Sequence, residues 1–148
     1  MGDRKRILLQ IIIALVLCSS PSLSIRAQQG LAVNDIFTRY GHQKGCKMVE
    51  MHNTRLRGYE LSVYKSLAYK NLAQQVEPYL ATDRKRAKKI QEVMENGRVV
   101  SGYYMMPPLK NGHNRYVLFS HVNRNKGAVI YIEGTLSADD IMKICYSK

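Results

Sequence analysis

Apolar positions follow two rhythms along this chain. In GLAVNDIFTRYG, Leu31, Val33, Ile36, Phe37 and Tyr40 share roughly one helical face and Gly41 stops the run, which predicts a first helix over about 32–40. CKMVEMH then alternates, with Val49 and Met51 to one side and Glu50 and His52 to the other, as a half-buried strand does. GYELSVYKSLAYK alternates again over Tyr59, Leu61, Val63, Leu67 and Tyr69, with Lys65 on the same face. It predicts a long strand, bent or bulged on the way, in a hairpin with the one before.

Helical spacing returns in VEPYLATDRKRAKKIQEVMENG. Leu80, Ala87, Ile90, Val93 and Met94 form its stripe, Pro78 fits a first turn and Gly97 a stop, which predicts one long helix. A start at Thr82 or Asp83 as N-cap is equally consistent. RVVSGYYMM reads as a strand ended by Pro107 and Pro108. RYVLFSHV and AVIYIEG read as two more, joined through Asn125 to Gly127, residues that tolerate positive φ. TLSADDIMKICYS closes as a helix capped by Ser137, with Asp139 and Asp140 at its positive end. The order α-β-β-α-β-β-β-α predicts an α+β domain: one antiparallel sheet of about five strands with three helices packed on one face. The other face, carrying tyrosines, Ser101 and Lys70, would be open to water or a partner.

The first 27 residues stand apart. Arg4, Lys5 and Arg6 precede an apolar run from Ile7 to Cys18, and Pro21, serines and Ala27 follow. That is the layout of a secretory signal peptide cut after Ala27, leaving residues 28–148 as a single globular domain. The run is shorter than the roughly 20 residues a membrane span needs, so no transmembrane segment is expected after cleavage. An uncleaved anchor is one alternative. Acylation of Cys18 is another, although Leu17 stands where a lipobox wants a small residue. The chain is expected to be exported, to the periplasm or the outer membrane.

Charge then narrows the partners. With 23 basic against 11 acidic residues the chain carries +12. For an exported protein this points away from nucleic acid and towards an acidic envelope protein or an anionic glycan or lipid surface, unless the excess serves only solubility. The densest stretch is DRKRAKKIQ, where Arg84, Lys85, Arg86, Lys88 and Lys89 make a candidate anionic-surface face on the predicted helix. Its plain alternative is a solvated helix exterior. Tyr103, Tyr104, Tyr116 and Tyr131 fall on adjacent predicted strands and offer a second candidate surface, with ordinary strand propensity as the alternative.

Candidate chemistry is sparse. Cys46 and Cys145 form a possible disulfide, closing a loop of about 100 residues worth about 4–5 kcal/mol in the loop-entropy model; two free thiols are the alternative. His42, Cys46 and His52 crowd one stretch, but the spacing lacks the paired ligands of a zinc site and the helix-start setting of a reactive thiol. Asp139 and Asp140 point about 100° apart on a helix and cannot act as a facing carboxylate pair. His113 reads as solvated in its turn, His121 as partly buried on its strand. No catalytic residue, metal site or cofactor motif is assigned.

The leader ending in AQQG and the closing VIYIEGTLSADDIMKI resemble a group of small exported domains of unknown function from Gram-negative bacteria. The strand, Glu-Gly, polar turn and Asp-Ile helix between Ile130 and Ile141 carry the resemblance most strongly. It implies an envelope location and a small α+β fold, and transfers no catalytic residues. The expected function is a non-enzymatic envelope binding module that uses the open sheet face and the basic helix. A hydrolase without a recognisable motif, and an assembly subunit pairing through an edge strand, are the alternatives.

Overall fold

The computed structural model describes residues 30–146. The expected signal peptide and Cys18 lie outside them. The elements are α1 (Val33–Tyr40), β1 (Lys47–Leu56), β2 (Tyr59–Lys70), α2 (Ala73–Arg84), β3 (Lys88–Glu95), β4 (Arg98–Met106), β5 (Asn114–His121), β6 (Lys126–Gly134) and α3 (Ala138–Tyr146). Among the described residues, no helix is long and apolar enough to cross a membrane.

The fold is α+β, with one antiparallel sheet of six strands in the order β1-β2-β6-β5-β4-β3. The sixth strand comes from the predicted long helix, which ends at Arg84; Lys88–Glu95 is strand. Asn96 and Gly97 explain this. Both take positive φ (49° and 75°), the conformation of a two-residue hairpin turn, and they fold Glu95 onto Arg98. Arg57 and Gly58 (50° and 88°) do the same between β1 and β2. The loop between β5 and β6 is built differently from the expectation: none of Asn125, Lys126 and Gly127 has positive φ. Instead Asn123 Oδ1 accepts the backbone N–H of Asn125 and of Lys126, at 2.8 and 2.9 Å.

Helices cover both sheet faces rather than one. On the first face, Val33, Ile36 and Phe37 of α1 and Val76 and Leu80 of α2 pack against Leu67, Tyr69, Tyr104, Met106, Val117, Phe119, Val129 and Tyr131. On the second, Leu136 and Ile141 pack against Leu61, Tyr116, Leu118 and Ile132, with Ile144 beside them. The link after β6 sends α3 to this second face. Tyr116 Oη donates to the Leu136 carbonyl at 2.7 Å and Asn114 Nδ2 at 3.1 Å, pinning the link over β5. Ser137 caps α3 as expected: Asp140 N–H donates to Ser137 Oγ and Ser137 N–H to Asp140 Oδ2.

β2 serves both faces because its register shifts between Leu61 and Val63, placing Leu61 and Leu67 in different clusters. Opposite Tyr69 on β6 stands Gly127, where a Cβ would overlap the phenol oxygen. The ring lies over the glycine, which is why this position carries no side chain.

α1 and α2 are joined by Asp83. The N-cap of α1 is Ala32, which has no side-chain acceptor. Asp83, in the last turn of α2 and 1% exposed, accepts the N–H of Ala32 at 2.9 Å and of Val33 at 2.8 Å. A carboxylate at a helix start meets both the unsatisfied amides and the positive end of the dipole.

Candidate functional site

The strands bring cations together at one end of the sheet. β1 begins there, β2 ends there, and β6 begins there after the β5–β6 loop. Lys70 stands directly opposite Lys126 across the β2–β6 pairing, and Lys47 opposite Ala68 across β1–β2. Side chains alternate along a strand, so Lys47, Lys70 and Lys126 share one face on three adjacent strands. It is the face that α3 covers at its other end.

Beside them lies an open depression of about 450 Å³ lined by Lys70, Asn71, Asn123, Arg124, Asn125 and Lys126. Its two rims are tied, Asn71 N–H donating to the Asn125 carbonyl at 2.5 Å. The lining holds three cations and no carboxylate. None of the ion pairs among the described residues involves Lys70, Arg124 or Lys126. Like charges held directly opposite destabilise a strand pair, and nothing within the described residues offsets Lys70 against Lys126.

The segment singled out for its charge is arranged otherwise. Arg84, Lys85, Arg86, Lys88 and Lys89 do not share a helix face: Arg84 ends α2, Lys85 and Arg86 form the turn, and Lys88 and Lys89 begin edge strand β3. Arg84 bonds Glu77 and its guanidinium lies 5.5 Å over the Phe119 ring. Arg86 faces Asp83 at 3.5 Å and Lys89 bonds Glu92 at 3.4 Å. Lys85 and Lys88 stay exposed, at the opposite end of the sheet from the depression.

Two clusters bring catalytic residue types together. In the first, Tyr69 Oη and His121 Nδ1 are 2.6 Å apart, and His121 Nε2 lies 3.5 Å from Glu77, which also bonds Arg84. Burial pushes the Tyr69 phenol up, with the Glu77 charge adding to it. Burial alone would raise the Glu77 carboxyl; bonds from His121 and Arg84 outweigh it and hold the group below its ordinary value. Tyr69 is 2% exposed and lies under β6, so its oxygen is closed to a substrate. The cluster ties α2 to β5.

In the second, Ser62 Oγ is 3.2 Å from His113 Nδ1, and Glu133 Oε1 is 4.0 Å from the same nitrogen. A nucleophilic relay needs serine and carboxylate on different ring nitrogens. Here both face Nδ1, and Ser62 Oγ gives its hydrogen to the Glu133 carbonyl at 2.9 Å. His113 is thus half-buried and bonded rather than solvated.

The other candidates separate. Cys46 packs at the first sheet face and Cys145 at the second, each as a free thiol. Burial pushes the Cys145 thiol up. His42 is exposed, and His52 pairs with Glu50 at 2.8 Å on the open surface. Tyr103 and Tyr116 face away from Tyr104 and Tyr131. Three of the four are buried, with hydroxyls donating to Glu92, Leu136 O and Glu133, so they make core rather than an exposed strip.

A family model described as a family of unknown function, DUF6108, matches residues 20–145. The chain belongs to the DUF6108 family. To that extent the resemblance seen in the Ile130–Ile141 ending is met. No curated protein and no solved structure matches the chain. The basic end of this DUF6108 domain went unread because Lys70 and Lys126 are isolated in sequence. The signal present was the NRNKG stretch, which reads only as a hairpin turn.

Proposed function

We propose that this domain is a non-enzymatic binding module of the bacterial envelope, docking an anionic surface through the loop end of its sheet. The observation that carries the reading is the set Lys70, Arg124 and Lys126, exposed around one depression with no acidic partner among the described residues. Exposed lysines and arginines gain about 1 kcal/mol each near an anionic lipid surface. The basic excess of the whole chain adds long-range attraction. The basic 84–89 segment contributes less, since Arg84, Arg86 and Lys89 already have partners. Export and a periplasmic or outer-membrane location rest on the Arg4–Ala27 leader pattern.

The edge-strand alternative is less favoured by the edges themselves. β3 is bulged between Lys89 and Gln91 and carries Lys88 and Lys89; β1 is interrupted at Asn53, where φ is 48°. Bulges and lysines are the devices by which sheets resist edge-to-edge addition.

Co-sedimentation with vesicles tests the proposal. Binding to phosphatidylglycerol vesicles, little to phosphatidylcholine, and loss of binding in the Lys70→Gln, Arg124→Gln, Lys126→Gln triple variant are expected at about 0.15 M salt. Equal binding by the triple variant overturns it.

A further inference from the structure

We infer that the depression between Lys70 and the β5–β6 loop is a seat for a single phosphate group, whether free or carried on a lipid or glycan headgroup. The inference rests on the reading of the loop end as the binding surface and names the group it recognises.

The first support is the chemistry of the lining. Lys70, Arg124 and Lys126 can only donate. Asn123 could do either, but its Oδ1 is taken by the N–H groups of Asn125 and Lys126, which leaves the amide hydrogens as its free end. The position of that loop is fixed by the bond from Asn71 N–H to the Asn125 carbonyl, so Arg124 and Lys126 are carried on a braced turn.

The second support is the opposed pair. Strand register holds Lys70 and Lys126 directly across from each other, and no described carboxylate separates them. An anion between them converts a repulsion into two attractions. A phosphate monoester carries about −1.5 to −2 charge and three acceptor oxygens, enough to engage three cationic side chains. A carboxylate, with one charge and two oxygens, leaves a cation uncompensated. The volume of about 450 Å³ falls within the range of small-ligand sites and holds the group with part of its carrier.

The test titrates the full-length chain with inorganic phosphate, and with acetate at matched ionic strength, following backbone amide resonances. Phosphate is expected to bind one to one and to shift Asn71 and Asn123 to Lys126, while acetate leaves them in place. Lys70→Gln and Lys126→Gln should each weaken phosphate about tenfold or more, the size of a charge-assisted hydrogen bond. Lys110→Gln, far from the depression, should not. Competition by phosphatidic acid vesicles, whose headgroup is a phosphate monoester, assigns the seat to a lipid headgroup; phosphate binding without competition assigns it to a soluble phosphate. If phosphate and acetate act alike, or if phosphate binding ignores both lysine variants, the seat is refuted. Vesicle binding that still depends on Lys70 and Lys126 would then leave the broader surface reading standing. Absence of both phosphate and vesicle binding removes both.

Discussion

At the scale of single residues, Asp83 fastens the start of α1 to the last turn of α2. It is buried, and its two oxygens serve amides 50 and 51 positions earlier. Asp83→Ala leaves those amides without an acceptor, Val33 in a buried place and Ala32 in a half-buried one. The expected cost is about 2–4 kcal/mol by urea denaturation, and Asp83→Asn, which keeps one acceptor, should cost less. Asp83 was legible only as a possible helix start. Its carboxylate does cap a helix, but α1 rather than its own, and a cap supplied from 50 residues away has no local signature.

At the scale of elements, Glu77 fastens α2 to the sheet through His121 and Arg84. Its carboxyl is held below the ordinary 4.5 by these bonds, against the opposing effect of burial. A lowered folded-state value means a stabilisation present above pH 4.5 and lost as pH falls through the folded value. Glu77→Gln should therefore be less stable at neutral pH, with a shallower loss below about pH 4.5. Denaturation midpoints across that range check it; parallel curves would show that Glu77 contributes no pH dependence. The elements themselves were mostly legible, because alternation and capping residues act locally. β3 was not. Ile90, Val93 and Met94 fit a helical stripe as well as a strand, and in the fold Val93 and Met94 are 39% and 59% exposed. The Asn96-Gly97 turn and pairing with β4 decide the outcome, a tertiary preference overriding a local pattern.

At the scale of the molecule, the class and the single sheet could be read from element order, whereas the placement of α3 depended on the tethering of Leu136. The candidate site was the least legible part. Lys70 and Lys126 are 56 positions apart and meet only through the β2–β6 register. That opposition also gives a prediction in which stability and binding move in opposite directions. Lys126→Glu replaces a like-charge pair with an opposite-charge one. It should raise stability by about 0.2–1 kcal/mol while abolishing binding to phosphatidylglycerol vesicles. A variant that loses both would mean that Lys126 supports the fold instead.

The Asp83 clamp has a consequence for orientation. It fixes Ala32 and Val33 beside the last turn of α2, near the end of the sheet where β3 begins. The basic loops lie at the other end: α2 starts three residues after Lys70, and its 12 residues rise about 18 Å to the clamp. The start of α1 and the basic loops thus lie at opposite poles of the described domain, so a surface met by the loops need not touch the clamp.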